Sequence, residues 1–163
     1  MNMNEVQLLS FTLGDDIYGI DITRVQEIRA LGQIRNLPNT PSHCVGVIDF
    51  RNVMVPILDL REVFKYNIKP VDAQTVMVVV SVGDIGSEML IGIIVDTVSD
   101  VIAVDESDIK TSPRIVGKVD TNFMKGMFKY QDNIVVMLSL ENVFEAEEFD
   151  ELKHLVEHEK ALA

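Results

Sequence analysis

A single cysteine, Cys44, stands in a chain of 163 residues. An intramolecular disulfide is therefore excluded, and a reducing compartment is the natural setting. Long apolar runs are missing too. The two longest, Thr75–Val82 and Met89–Val95, fall far short of the roughly 20 residues that a membrane-spanning helix needs. The opening residues, Met1-Asn-Met-Asn-Glu-Val-Gln, hold neither the basic stretch nor the apolar stretch of a secretory signal. The expectation is a cytoplasmic protein without direct membrane insertion. Basic charge is scarce: fourteen Lys and Arg against twenty-six Asp and Glu leave a net of −12. Nucleic-acid phosphate and anionic lipid surfaces would be repelled overall. Residues 145–163 carry seven acids and two bases of this total, and the remainder shows no basic stripe. No nucleic-acid partner is expected.

Catalytic patterns are equally sparse. Neither G-x-G-x-x-G nor G-x-x-x-x-G-K-[ST] occurs, so no phosphate-cradling loop is encoded, and no G-x-S-x-G elbow is present. Cys44 follows His43 directly, and neighbours on a strand point to opposite faces, so the two do not make a nucleophile–base pair. Cys44 reads as an inert, buried or half-buried thiol. His154-Leu-Val-Glu-His158 fits H-x-x-E-H, and a helix would put both imidazoles on one face, suited to a zinc ion. Only five residues follow to supply a third ligand, and the segment is acidic and solvated, so two exposed histidines among i,i+4 charge pairs are expected instead. Asp15, Asp16, Asp84, Asp105 and Asp108 lie in turn-like sequence, where Asp is favoured for turn chemistry alone. No cofactor, metal or enzyme activity is expected.

What the chain does have is strand pattern. Apolar residues make up 47% and charged residues 25%, and a chain of this length buries about 68–70% of its unfolded surface without staples. Val6–Leu13 and Asp16–Ile20 flank Gly14-Asp15; Val45–Phe50 and Val53–Leu58 flank Arg51-Asn52; Val76–Val82 and Met89–Val95 flank a six-residue loop. Each reads as a hairpin. Asn133–Leu138 closes a fourth. Asn52 suits a turn position, because Asn tolerates positive φ, and Pro56 marks its strand as an edge or a bulge. Asp59-Leu-Arg-Glu62 and Ser139-Leu-Glu-Asn142 have capping-box spacing and open short helical turns. Residues 147–160 have an amphipathic helical pattern, with Phe149, Leu152, Leu155 and Val156 on one face.

The most informative feature is an internal repeat. Gly46–Phe64 aligns without a gap on Gly126–Phe144, with Gly, Val, two Leu, Val and Phe identical, and Gly19–Ile28 aligns on Gly92–Val101, setting Glu27 opposite Asp100. Each half then reads as a barrel of about five strands, too small to stand comfortably alone. Two such halves would pack through a shared apolar layer and leave a groove between them.

Ile20-Asp-Ile-Thr-Arg-Val-Gln-Glu-Ile-Arg29, then Leu37-Pro-Asn-Thr-Pro41, then Gly46–Arg61, and finally Gly92-Ile-Ile-Val-Asp-Thr-Val98 together resemble the CheW family of chemotaxis coupling proteins. That family carries V-x-E-I, an I-P-N-x-P-like turn, G-V-x-N-L-R-G-x-x-x-P-V-x-D-L-R and G-x-x-V-D-x-V in this order, and the resemblance covers about residues 6–145. It implies a mainly β protein of two SH3-like five-stranded β-barrels around a shared hydrophobic core, with short helices. One CheW-like domain over 1–163 is expected. Its first barrel would span 12–68 and its second 71–145, with strands exchanged at the ends, and 146–163 would form an acidic C-terminal helix. The resemblance also implies a non-catalytic adaptor that couples the cytoplasmic hairpin of chemoreceptors to the regulatory domain of the histidine kinase CheA.

On the same resemblance, Glu27 occupies the glutamate of V-x-E-I and Arg51 the arginine of N-L-R-G. An ion pair between them beside a receptor groove is expected. Val25, Ile28, Val47 and Ile48 are candidate apolar groove residues, each weighed against plain core membership, and Gly46 matches a family glycine. Here Asp49-Phe-Arg-Asn52 replaces N-L-R-G; Asn52 keeps the turn open to left-handed backbone, while Asp49 adds charge beside Arg51. Alternatives are a CheW-like scaffold in a non-chemotactic receptor–kinase pathway and a small-ligand-binding barrel, the latter disfavoured because small barrels are filled by side chains. About eighteen residues follow Glu145, too few for the receiver domain of the CheV type.

Overall fold

The computed structural model describes residues 4–31, 44–67, 72, 74–83, 86, 88–110 and 123–143. Ten strands dominate it: β1 (Glu5–Leu13), β2 (Asp16–Asp21), β3 (Val25–Ala30), β4 (Cys44–Phe50), β5 (Val53–Asp59), β6 (Val76–Val82), β7 (Met89–Val95), β8 (Thr97–Asp105), β9 (Met124–Tyr130) and β10 (Asn133–Leu138). Single-turn helices α1 (Leu60–Val63) and α2 (Leu140–Val143) follow β5 and β10. The fold class expected from the sequence is the one observed, with two five-stranded sheets ordered β8-β1-β2-β10-β9 and β3-β6-β7-β5-β4.

These two orders are one order written twice, related by the repeat. Ile57 pairs with Gly92 in parallel, and Met137 pairs with Gly19 in parallel at the corresponding places. The antiparallel ladders match as well, Gly46 opposite Ile57 and Gly126 opposite Met137, each beside a register shift. The second sheet uses five consecutive strands, β3–β7, whereas the first is assembled from both ends of the described chain. β1 and β2 pair with β8–β10, whereas β3–β5 pair with β6 and β7. The sheets therefore divide at the β2–β3 and β7–β8 connections rather than at 68/71, with strands from both ends of the described chain joined in one sheet. Both crossovers, β2 to β3 and β7 to β8, carry the chain from one sheet to the other.

This arrangement explains the unbroken apolar runs. In β6, Val78, Val80 and Val82 face a layer shared with Phe11, Tyr18, Ile20, Leu58, Ile93 and Val136, while Met77 and Val79 face the interior of their own sheet beside Ile57 and Ile94. A strand buried on both faces has no polar side to alternate with. The first sheet has its own interior cluster of Leu8, Ile102, Phe128, Val135 and Met137. Closure of that sheet is visible: Lys110 and Met127 exchange two backbone hydrogen bonds of 2.8 Å, joining the chain after β8 to β9, the opposite edge.

Local chemistry sets the turns. Arg51 and Asn52 both have positive φ (51° and 66°), as do their repeat counterparts Gln131 and Asp132 (48° and 64°), the backbone of a two-residue type I′ hairpin. Asp49 Oδ1 accepts from Asn52 N at 3.0 Å. Pro56 pairs across from Val47 on β4, and the parallel partnership of β5 with β7 begins only at Ile57, so Pro56 sits where β5 is still an edge. Asp59 caps α1, accepting from Arg61 N. The amphipathic 147–160 segment, His154 and His158, and the Leu37–Pro41 turn lie outside the described residues.

Candidate functional site

The sequence-derived candidates fall into two groups. Val25, Glu27 and Ile28 lie on β3, and Gly46, Val47, Ile48, Arg51 and Asn52 lie on β4 and its turn into β5. These are the two outer strands of one five-stranded sheet, and no Glu27–Arg51 ion pair is found among the described residues. Glu27 instead lies 3.7 Å from Arg29 two residues along its own strand, and the Arg51 guanidinium sits 4.8 Å above the Phe50 ring.

Val47 and Ile48 are buried, at 0% and 9% exposure, and Ile48 packs with Phe50, Val55 and Ile57. Gly46 is buried as well. Val25 is half-buried against the shared layer, and Ile28 is 44% exposed. Ile28 has a counterpart: Val101, at the same repeat position on β8, is 51% exposed. Each outer strand thus holds out one β-branched residue where a solvated edge normally carries charge.

A second constellation escaped the sequence reading. Arg61 and Asp59 are 3% and 5% exposed. Arg61 Nε and Nη2 donate to Asp59 Oδ1 and Oδ2 at 2.9 and 2.8 Å, a bidentate fork, and Nη1 lies 3.5 Å from Asp96 Oδ1. Asp96 Oδ2 accepts from Gly14 N at 2.8 Å. The hydrogen bonds to Asp59 hold the guanidinium pKa above its usual value against the opposing effect of burial. Four segments, the end of β5, α1, the β7–β8 crossover and the β1–β2 turn, meet here, so the network ties one sheet to the other. The available signal was Asp59-Leu-Arg61 together with Val95-Asp96, two motifs already present but not joined by spacing.

Beside it, the Tyr18 and Tyr66 hydroxyls are hydrogen-bonded, and Tyr66 donates to Asp16 Oδ2 at 2.5 Å. Because the one Tyr66 O–H donates to Asp16, the Tyr18 hydroxyl is the donor to Tyr66. Burial chiefly pushes the Tyr18 pKa up to about 12, and burial with the hydrogen bond to Asp16 raises that of Tyr66. Cys44 is buried, and burial raises its thiol pKa, which suits an unreactive core residue. Among the described residues no group of three or more His, Cys, Asp or Glu is placed to hold a metal ion. No helix among them is long and apolar enough to cross a membrane.

Residues 7–148 match the family model of the CheW-like domain. The chain is 35% identical over 142 residues to the chemotaxis protein CheW of Klebsiella aerogenes, covering 87% of this chain and 83% of that one. It is 30% identical to CheW of Rhizobium meliloti, covering 87% and 89%. Among solved structures, the scaffolding protein TtCheW of Thermoanaerobacter tengcongensis superposes with a TM-score of 0.77 at 29% identity, over 88% of this chain and 94% of that one. Motif order, the doubled sheet and these matches agree, and the chain belongs to the CheW-like family.

Proposed function

We propose that this protein is a non-catalytic chemotaxis adaptor, coupling the cytoplasmic hairpin of chemoreceptors to the regulatory domain of the CheA kinase. The observation that carries the reading is the family match over 7–148, combined with an exposed Ile28 inside the V-x-E-I stretch of β3. Ile28 supplies an apolar contact, flanked by Glu27 and Arg29 as a polar rim. Val25 anchors the strand in the shared layer, and buried Gly46, Val47 and Ile48 brace the sheet behind the Arg51-Asn52 turn. That turn offers a second, cationic contact at the other edge. Individually modest contacts of this kind gain strength when many copies engage together in an array.

Both sheet interiors are filled by side chains such as Phe50, Ile57, Phe128 and Met137, which weighs against a ligand-holding barrel. The test is binding of the full chain to a receptor cytoplasmic hairpin and, separately, to a CheA regulatory domain. Wild type is expected to bind both. Ile28→Asp and Arg51→Glu are each expected to lose hairpin binding while melting normally. Folded wild type that binds neither partner overturns the reading, and an Arg51→Glu variant that keeps both interactions removes Arg51 from it.

A further inference from the structure

The repeat relates the buried Arg61 network to a second cluster of opposite polarity. Arg61 on α1 corresponds to Glu141 on α2; Thr97, next to Asp96 in the β7–β8 crossover, corresponds to Arg24 in the β2–β3 crossover; and Gly14 after β1 corresponds to Gly83 after β6. At this second position Arg24 Nη2 lies 3.1 Å from Glu141 Oε1, and Arg24 Nη1 donates to the Gly83 carbonyl at 3.1 Å. Each cluster joins a post-strand helix, a crossover and a hairpin turn, and each spans both sheets.

The two differ in what surrounds them. The side chains of Arg61, Asp59 and Asp96 are 4%, 8% and 11% exposed, whereas those of Arg24 and Glu141 are 34% and 40% exposed. Arg24 and Glu141 also line an open recess with Asp21, Lys125, Leu138 and Leu140, so water and ions reach the pair directly. A buried bidentate pair is little screened by salt; a half-exposed single contact beside solvent is screened strongly.

We infer that the sheets are joined by a permanent hinge at Asp59–Arg61–Asp96 and by a releasable clasp at Arg24–Glu141, so that the seam opens from the clasp end. Opening separates α2 from the β2–β3 crossover and loosens the Arg24 bond to the turn at Gly83, while the β1–β2 turn stays held to Asp96. The inference needs only the geometry of the seam and stands whichever partner the protein binds.

Hydrogen–deuterium exchange of the full chain, followed by mass spectrometry at low and at high salt, reads the two ends separately. High salt is expected to speed exchange several-fold in peptides covering 22–25, 82–83 and 140–143. Peptides covering 12–16, 59–63 and 95–97 stay unchanged. Glu141→Gln reproduces the acceleration at low salt, and the double variant Arg24→Glu/Glu141→Arg restores protection at 140–143. Equal responses at both ends, or a Glu141→Gln variant with wild-type exchange, would overturn the clasp.

Discussion

Gly126 passes Ile109 with no room for a side chain: a β-carbon there would lie 2.5 Å from Ile109 Cγ2 and 3.2 Å from the Lys110 carbonyl oxygen. The contact lies at the Lys110–Met127 bridge that closes the first sheet. The sequence repeat pairs this glycine with Gly46, and the structure supplies the physical need for it. Gly126→Ala is expected to fold with its stability lowered by about 1–3 kcal/mol, the usual cost of overpacking. Urea unfolding measures this, and an unchanged midpoint would show that the closure gives way freely.

Arg61 gives a larger effect. Its partners Asp59 and Asp96 remain buried when the guanidinium is removed, and an orphaned buried charge costs about 3–5 kcal/mol. Arg61→Met is expected to lose stability on that scale. Asp96→Asn, which keeps an oxygen for Gly14 N and gives up only a 3.5 Å contact, costs about 1 kcal/mol. Thermal and denaturant melts of the two variants should rank in that order.

The tyrosine pair sets an alkaline limit. Tyr18 in the folded protein titrates near 12 against an ordinary 10.0, so the fold holds this proton more tightly than the unfolded chain does. Its contribution is fully present below about pH 10 and is lost as pH rises toward 12, where the unfolded chain has already released the proton. Tyr66, raised in the same direction, adds to the slope. Stability measured from pH 9 upward should fall, and Tyr18→Phe should flatten the fall. A wild-type curve that is level through this range contradicts the assignment.

The Arg51-Asn52 turn makes a sharper demand on residue type than its exposure suggests. Both residues have positive φ. Asn52→Gly is expected to stay within about 0.5 kcal/mol of wild type, whereas a β-branched Asn52→Val costs about 1–2 kcal/mol. Circular dichroism melts distinguish the two, and equal stabilities would mean that the turn changes type.

Ile28 separates binding from folding. At 44% exposure its replacement by Asp should shift stability by no more than about 0.5 kcal/mol. If β3 carries the receptor contact, affinity for the hairpin should fall tenfold or more, about 1.4 kcal/mol. Titration of the folded variant against the hairpin gives the answer.

The hairpins, their turns and both single-turn helices were legible because each is decided within a dozen residues. Strand period, a two-residue turn able to take positive φ, and an acid or hydroxyl before a helical turn are local signals. Strands β3 and β8 were less legible, because as outer strands they mix Glu27, Arg29, Ser99 and Asp100 with few apolar residues. The site was read least well. Glu27 and Arg51 were joined on motif resemblance, whereas their side chains meet Arg29 and Phe50 instead. Arg61 stands in the D-L-R motif, but its burial and its contact with Asp96 join segments that the sequence keeps apart.

The amino-acid sequence by itself determined that the chain is a duplicated, mainly β protein of the CheW-like kind, since repeat spacing, apolar alternation and turn chemistry survive in one dimension. Only the tertiary structure decided how the halves share strands, which faces of β6 and β7 meet which core, and which acids meet Arg61. Those outcomes depend on pairing between segments up to about 120 residues apart, such as β2 with β10. Such pairing is selected by the joint burial of many side chains, and no short stretch of sequence encodes that sum.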